Sequence, residues 1–239
     1  MLEANNVIIP TLENKEIHLW WMNSSHDSPS DQAWEILNAE EHHRALRFKR
    51  DCDRHRYVQV RSILKQLIAI YLNIPHQQVE FHYGEKGKPV LKALDSDDSL
   101  EFNVSHSHDM AVWGFSRGQA LGVDVEYIKP NHQGLSIAKR FFTPREYQAL
   151  QRKEKLEQQD FFFQLWTRKE SCIKARGDSL FEHISHLEVP SQDCCAADWQ
   201  ALSHEEIYVR DLKLHPKYKA SIASFHGKTP LSCFEWVWP

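Results

Sequence analysis

Two segments carry residue types whose spacing can do chemistry. The first is Leu121-Gly122-Val123-Asp124-Val125-Glu126-Tyr127. Its alternation reads as a strand, with Leu121, Val123, Val125 and Tyr127 on one face and Asp124 and Glu126 on the other. Like charges side by side repel unless a cation sits between them. Hard oxygen donors at this spacing suit Mg²⁺, which takes one or two carboxylates plus substrate phosphates. The same pattern also occurs on solvated strand faces. The second segment is the helical run from Phe162 to Lys174, where Phe162, Trp166, Glu170 and Ile173 recur at helical spacing. Glu170 therefore falls within an apolar stripe, where an ionised carboxylate is costly unless paired or metal-bound. Lys174, one turn on, offers a structural ion pair as the other answer.

Two smaller features accompany these. Gly87-Lys88-Pro89 holds a lysine on a stiff turn. Asn103-Val104-Ser105-His106-Ser107 reads as a polar loop whose hydroxyls and imidazole suit a phosphate or a nucleotide. Adjacent Ser105 and His106 cannot easily form a nucleophile–base pair in extended chain, and no G-x-S-x-G elbow is present. Neither a P-loop nor a G-x-G-x-x-G run occurs.

The frame around these residues is a chain of 239 residues, 41% apolar and 11% aromatic, with a formal net charge of −4. That composition excludes a disordered chain and supports one large domain or two small ones. No apolar run approaches a membrane span, and the start lacks a secretion signal. Five cysteines without a C-x-x-C pair fit a reduced, cytoplasmic compartment. The pairs His106/His108 and His183/His186 lack cysteine partners at zinc-finger spacing and read as ordinary polar histidines. The charge is split. Arg44 to Lys65 contains eight basic and two acidic residues, a local +6 on a chain that is −10 elsewhere. Such a patch suits a small anionic ligand; a nucleic-acid binder spreads positive charge over a face.

The elements that must position these residues are legible in outline. Strands are expected at 16–22, 79–83, 102–104, 110–115 and 121–128, the last two joined as a hairpin by residues 116–119. Helices are expected at 31–48 with Asp31 as N-cap, at 51–72, at 134–150 with a break at Thr143-Pro144, and within 153–176. Strand patterns return after Ser185. Mixed order without β-α-β crossovers points to an α+β fold. Trp20 and Trp21 read as core.

The chain resembles the 4′-phosphopantetheinyl transferase family. The resemblance rests on Gly122-Val123-Asp124-Val125-Glu126 followed by Trp166-Thr167-Arg168-Lys169-Glu170-Ser171-Cys172-Ile173-Lys174. Gly87-Lys88-Pro89, Phe102 to Ser107 and Ile137 to Phe142 are similar to further motifs of its large, surfactin-type branch. The resemblance implies two similar α/β half-domains related by a pseudo-twofold, here 1–117 and 118–239, with the active site at their interface in a monomer. It also implies the reaction. The 4′-phosphopantetheine arm of coenzyme A passes to a serine of an apo acyl or peptidyl carrier, releasing adenosine 3′,5′-bisphosphate. By position, Asp124, Glu126 and Glu170 match the Mg²⁺ ligands, where Mn²⁺ is an expected substitute. Lys174 matches a lysine at the bridging phosphates, and Glu170 and Glu146 match carboxylates proposed as catalytic. Arg44, Arg56, Lys88, Ser105 and His106 match coenzyme A contacts. Glu41, His42 and His43 stand where relatives often place a lysine, and Tyr57 where a small hydroxyl residue is often found. Arg168 has no implied role.

The residues independently fit a diphosphate substrate, since phosphoryl transfer is mostly positioning and charge neutralisation. A coenzyme A or nucleotide-binding module without chemistry is the alternative, and three clustered carboxylates weigh against it. A Mg²⁺-dependent nuclease is a third reading, disfavoured by the acidic remainder. Lys139, Arg140, Arg145, Arg152, Lys153 and Lys155 are expected to face the acidic helix of a carrier domain. No nucleic-acid or membrane partner is expected. Fatty-acid, polyketide and nonribosomal-peptide carriers all fit.

Overall fold

The computed structural model describes residues 2–4, 7–23, 28–83, 89–91, 100–130, 133–177, 184–191, 199–202, 206–227 and 229–237. The turn carrying Lys88, and with it His183, Cys194 and Cys195, lies outside them. A short antiparallel pair, β1 (Leu2–Ala4) and β2 (Val7–Ile9), opens the chain. Then follow β3 (Ile17–Asn23), α1 (Asp31–Glu35), α2 (Ala39–Leu46) and α3 (Asp51–Leu72). A small ribbon, β4 (Phe81–Tyr83) with β5 (Pro89–Leu91), precedes β6 (Leu100–Ser107), β7 (Met110–Arg117) and β8 (Leu121–Tyr127). Next come α4 (Gly134–Phe141), α5 (Pro144–Arg152) and α6 (Gln158–Arg176). The chain closes with β9 (Gln200–Ala201), β10 (Tyr208–Leu212), β11 (Tyr218–Ser224) and β12 (Leu231–Glu235).

The strands form two four-stranded sheets, ordered β12-β3-β7-β6 and β8-β11-β10-β9. Within each, a strand is followed by helices and then by an antiparallel pair whose second strand inserts beside the first: β3, β6, β7 and β8, β10, β11. The mixed α+β reading stands. β12 pairs in parallel with β3, so the last strand completes the sheet begun by the first half.

Alternation builds the layers. On β3 and β7, Trp20, Met22, Ala111, Trp113 and Phe115 pack against Ile63, Leu64, Leu67, Ile68 and Tyr71 of α3. Their opposite faces, with Ile17, Leu19, Met110 and Val112, meet Leu121, Val123, Val125 and Ile222 of the second sheet. Gly114 permits that approach, since a Cβ there would lie 2.4 Å from Leu121 Cδ1. The outer face of the second sheet is covered by α6, whose Phe163, Leu165, Cys172 and Ile173 join the third cluster.

Four expectations change. The helix expected over 31–48 is two helices, because Ser30 caps the first and Asn38 accepts from Glu41 N–H to start the second; Asp31 is the first helical residue. The polar loop at Ser105 to Ser107 is strand, since its alternate residues are held by β7 on one side. β7 and β8 do not form a hairpin: Ser116 to Gln119 carries the chain from one sheet to the other. Finally, residues 186–189 form no strand. The break at Thr143-Pro144 and the stops at Asn73 and Gly177, both left-handed, fall where the sequence puts them.

Candidate active site

Asp124 and Glu126 do share a strand face, but that face is not solvated. It looks onto α6, and the reason is Gly122. A Cβ at that position would lie 2.0 Å from the Ser171 carbonyl oxygen, so glycine lets helix and strand close together. Asp124 is consequently 2% exposed and Glu126 half-buried. Glu170 and Lys174, one turn apart on α6, reach the same place. Lys174 Nζ donates to Asp124 Oδ1 at 2.7 Å and lies 3.8 Å from Glu170 Oε2. Lys174 thus serves mainly Asp124, which a simple i,i+4 pair would not require. Ser105 of β6 completes the contact, donating to Asp124 Oδ1 at 2.9 Å and accepting from Lys174 at 3.1 Å.

One oxygen from each of Asp124, Glu126 and Glu170 lies within 4.8 Å of the others. Crowding and burial hold all three carboxyls above their ordinary range. Burial is the main cause for Asp124, opposed by Lys174. For Glu126 it is burial, then the charge of Asp124. Glu170 is pushed up to about 8 by burial and then by Asp124, against Lys174. Lys174 is the converse case: burial would release its proton, but Asp124 and Glu170 hold it on and raise its pKa. Once all three are ionised, three carboxylates against one ammonium leave two negative charges, the charge of one divalent cation. Asp124 Oδ2 is buried without a hydrogen-bond partner. An orphaned carboxylate oxygen in an all-oxygen donor set fits a hard divalent ion.

The other expected site residues divide. His106 is on the opposite face of β6 from Ser105 and is exposed. Desolvation and then the charges of Arg56 and Lys174 lower its pKa. Arg56, on α3, also lies 3.3 Å from Asp53. Arg44 is an exposed residue of α2 with its guanidinium 5.7 Å from the Tyr57 ring. The +6 patch is smaller than its sequence charge. Lys65 and Arg61 are buried against Glu41, at 3.1 and 3.7 Å.

Glu146 does not join the carboxylate cluster. It is wholly buried and closes the capping box of α5 by accepting from Thr143 N–H at 2.8 Å. Its oxygens also accept from Lys169 Nζ at 2.6 Å and Val189 N–H at 2.8 Å. These contacts tie α5 to α6 and to the segment around Val189, and they place Glu146 apart from Asp124, Glu126 and Glu170. The Thr-x-x-Glu spacing was the available signal. Arg168, given no role from sequence, is 1% exposed and grips Asp211 through Nε at 2.8 Å and Nη2 at 2.5 Å, tying α6 to β10.

The model of the 4′-phosphopantetheinyl transferase superfamily matches residues 120–233, and that of the 4′-phosphopantetheinyl transferase N-terminal region matches residues 20–115. The 4′-phosphopantetheinyl transferase HetI of Nostoc sp. is 37% identical over 182 residues, 75% of this chain and 76% of its own. The chain belongs to the 4′-phosphopantetheinyl transferase superfamily. The transferase Sfp of Bacillus subtilis is 31% identical over 82% of this chain and 85% of its own. A human relative, L-aminoadipate-semialdehyde dehydrogenase-phosphopantetheinyl transferase, is 30% identical over 76% of this chain and 62% of its own. In this transferase the carboxylate cluster falls within the stretch matched by the superfamily model, whereas Ser105 comes from the N-terminal one.

Proposed function

We propose that the chain transfers the phosphopantetheine arm of coenzyme A to a serine hydroxyl of an apo carrier protein, with Mg²⁺ held by Asp124, Glu126 and Glu170. The serine oxygen forms a bond to the proximal phosphorus of the diphosphate, and the bond to the bridging oxygen breaks. Adenosine 3′,5′-bisphosphate leaves, and the serine proton is taken up by a carboxylate. The observation that carries the reading is the triad of carboxylates, together with the orphaned Asp124 Oδ2. The cation supplies charge neutralisation at the diphosphate. Lys174 supplies a fixed positive charge beside it, and Glu170 is assigned the uptake of the serine proton. Arg44, Arg56, Lys88, Ser105 and His106 are assigned to coenzyme A. Guanidinium groups suit its terminal phosphate because they bind bidentately.

The repeated connectivity supports two half-domains, 1–117 and 118–239, related by a pseudo-twofold, with the site where β6 meets β8. Both contributions come from one chain, which supports a monomer. The unpaired thiols of Cys52, Cys172 and Cys233 support a cytoplasmic enzyme. The carrier docks along α4, α5 and the segment after α5, where Lys139, Arg140, Arg145, Arg152 and Lys155 are exposed, as are Leu135 and Leu156.

The test is direct. Purified protein, coenzyme A, Mg²⁺ and a panel of apo carriers should yield a carrier heavier by one phosphopantetheine group, with release of adenosine 3′,5′-bisphosphate. Asp124→Ala and Glu170→Ala should fold and lose turnover by at least about a hundredfold. Full activity in either variant would refute the metal assignment.

A further inference from the structure

β6 and β8 are edge strands of different sheets and are joined through side chains. An edge strand leaves every second N–H without a sheet partner. On β8 these are Val123, Val125 and Tyr127, and three alternate residues of β6 accept from them. Asn103 Oδ1 takes Val123 N–H at 2.9 Å, Ser105 Oγ takes Val125 N–H at 3.4 Å, and Ser107 Oγ takes Tyr127 N–H at 3.1 Å. The result is a ladder with a side chain for each rung.

Two rungs do more than join sheets. A hydroxyl has one proton and two lone pairs, so it can accept and donate at once. Ser105 donates its hydroxyl hydrogen bond to Asp124 Oδ1, as described above. Ser107 donates to Glu126 Oε2 at 2.7 Å while accepting from the next residue's amide. That pair of bonds ties the Glu126 carboxylate to its own backbone through a fixed third atom. Without it, the repulsion between Glu126 and Asp124 favours turning the carboxylate outward. Asn103 holds a rung and touches no carboxylate in the cluster, so the ladder contains its own control.

We propose that Ser107 is a positioning residue, which orients Glu126 for the metal ion. The inference rests on the metal reading above. Outer partners of metal ligands are worth about 10- to 100-fold in metal affinity. The experiment is a Mn²⁺ titration with coenzyme A present, followed by the paramagnetic resonance signal of the free ion, so it needs no turnover. Ser107→Ala should weaken Mn²⁺ binding by about 10-fold or more. Ser107→Thr and Ser107→Val have the same shape and differ in the hydroxyl; Thr should bind like wild type and Val like Ala. Asn103→Ala should melt at a lower temperature with Mn²⁺ affinity unchanged. The concentration of Mg²⁺ giving half-maximal transfer should rise in Ser107→Ala and Ser107→Val by the same factor as the Mn²⁺ dissociation constant. Equal Mn²⁺ affinity in wild type and both hydroxyl-free variants would overturn the positioning role while leaving the metal reading intact. No Mn²⁺ binding by wild type would overturn both.

Discussion

Glu146 and Glu170 both fall within the stretch matched by the superfamily model and have little solvent exposure, yet they sit in opposite electrostatic states. Glu146 has Lys169 at 2.6 Å and two backbone N–H donors. Glu170 faces two further carboxyls and one shared lysine. Removing Glu146 strands the Lys169 ammonium, whose pKa burial already lowers against the pull of Glu146. Glu146→Ala should therefore cost about 3–5 kcal/mol in urea unfolding, while its folded fraction keeps the wild-type Mg²⁺ requirement. A changed Mg²⁺ requirement would return Glu146 to the site. For Glu170 the prediction concerns pH. Its pKa is about 8 in the folded chain, raised from 4.5. The folded state then binds the proton more tightly than the unfolded state. The stability this gives is complete below the unfolded pKa and is lost as pH rises through the folded one. The metal-free protein should melt lower at about pH 9 than at about pH 6, and Mg²⁺ should raise the melting temperature more at the higher pH. Glu170→Gln should flatten this difference. An unchanged pH slope in that variant would show that other groups produce it.

At the scale of elements, the site depends on the closeness of β8 and α6, and that closeness depends on Gly122. An alanine Cβ would meet backbone, Ser171 O at 2.0 Å and Ala175 N at 2.4 Å, so no side-chain rotation relieves it. Gly122→Ala should destabilise by about 3 kcal/mol, the upper part of the overpacking range, and lower kcat/KM because Glu170 and Lys174 ride on the displaced helix. Gly177→Ala is the contrast. That residue ends α6 at a φ of +72° with nothing within 4 Å of an added Cβ. It should cost about 1–2 kcal/mol through backbone strain and leave kinetics alone. These elements were unevenly legible. The strand alternation of Leu121 to Tyr127 and the stripe through Glu170 are local patterns, so they could be read directly. The burial of Asp124 could not, because it comes from a helix packed over that strand face. The Ser105 strand looked like a loop because its polar residues answer to β8, a partner twenty residues away in sequence. Lys65 and Arg61 looked available to phosphate because nothing local announces Glu41 as their partner.

For the whole molecule, the sequence reading of two halves meets a chain that interlocks them. The inner faces of the two sheets share one apolar cluster. β12, which belongs to the second half in sequence, lies along β3, and Trp236 N–H donates to Trp21 O at 2.8 Å. Phe234 stacks on Trp20 with ring centroids 4.8 Å apart. A fragment ending at residue 117 therefore loses a strand of its own sheet and uncovers Ile17, Leu19 and Val112. A fragment starting at 118 keeps β12 with no β3 to hold it and opens the edge of β8 that Asn103, Ser105 and Ser107 cover. Neither half closes its own core, so unfolding should be one cooperative step, with calorimetric and van't Hoff enthalpies equal. Each half expressed alone should lack a cooperative transition. Mixed together, they should regain both the transition and transfer to carrier, since Ser105 and the three carboxylates are then reunited. Two resolved transitions in the intact chain, or a sharp transition in an isolated half, would show that the sequence boundary is also a folding boundary.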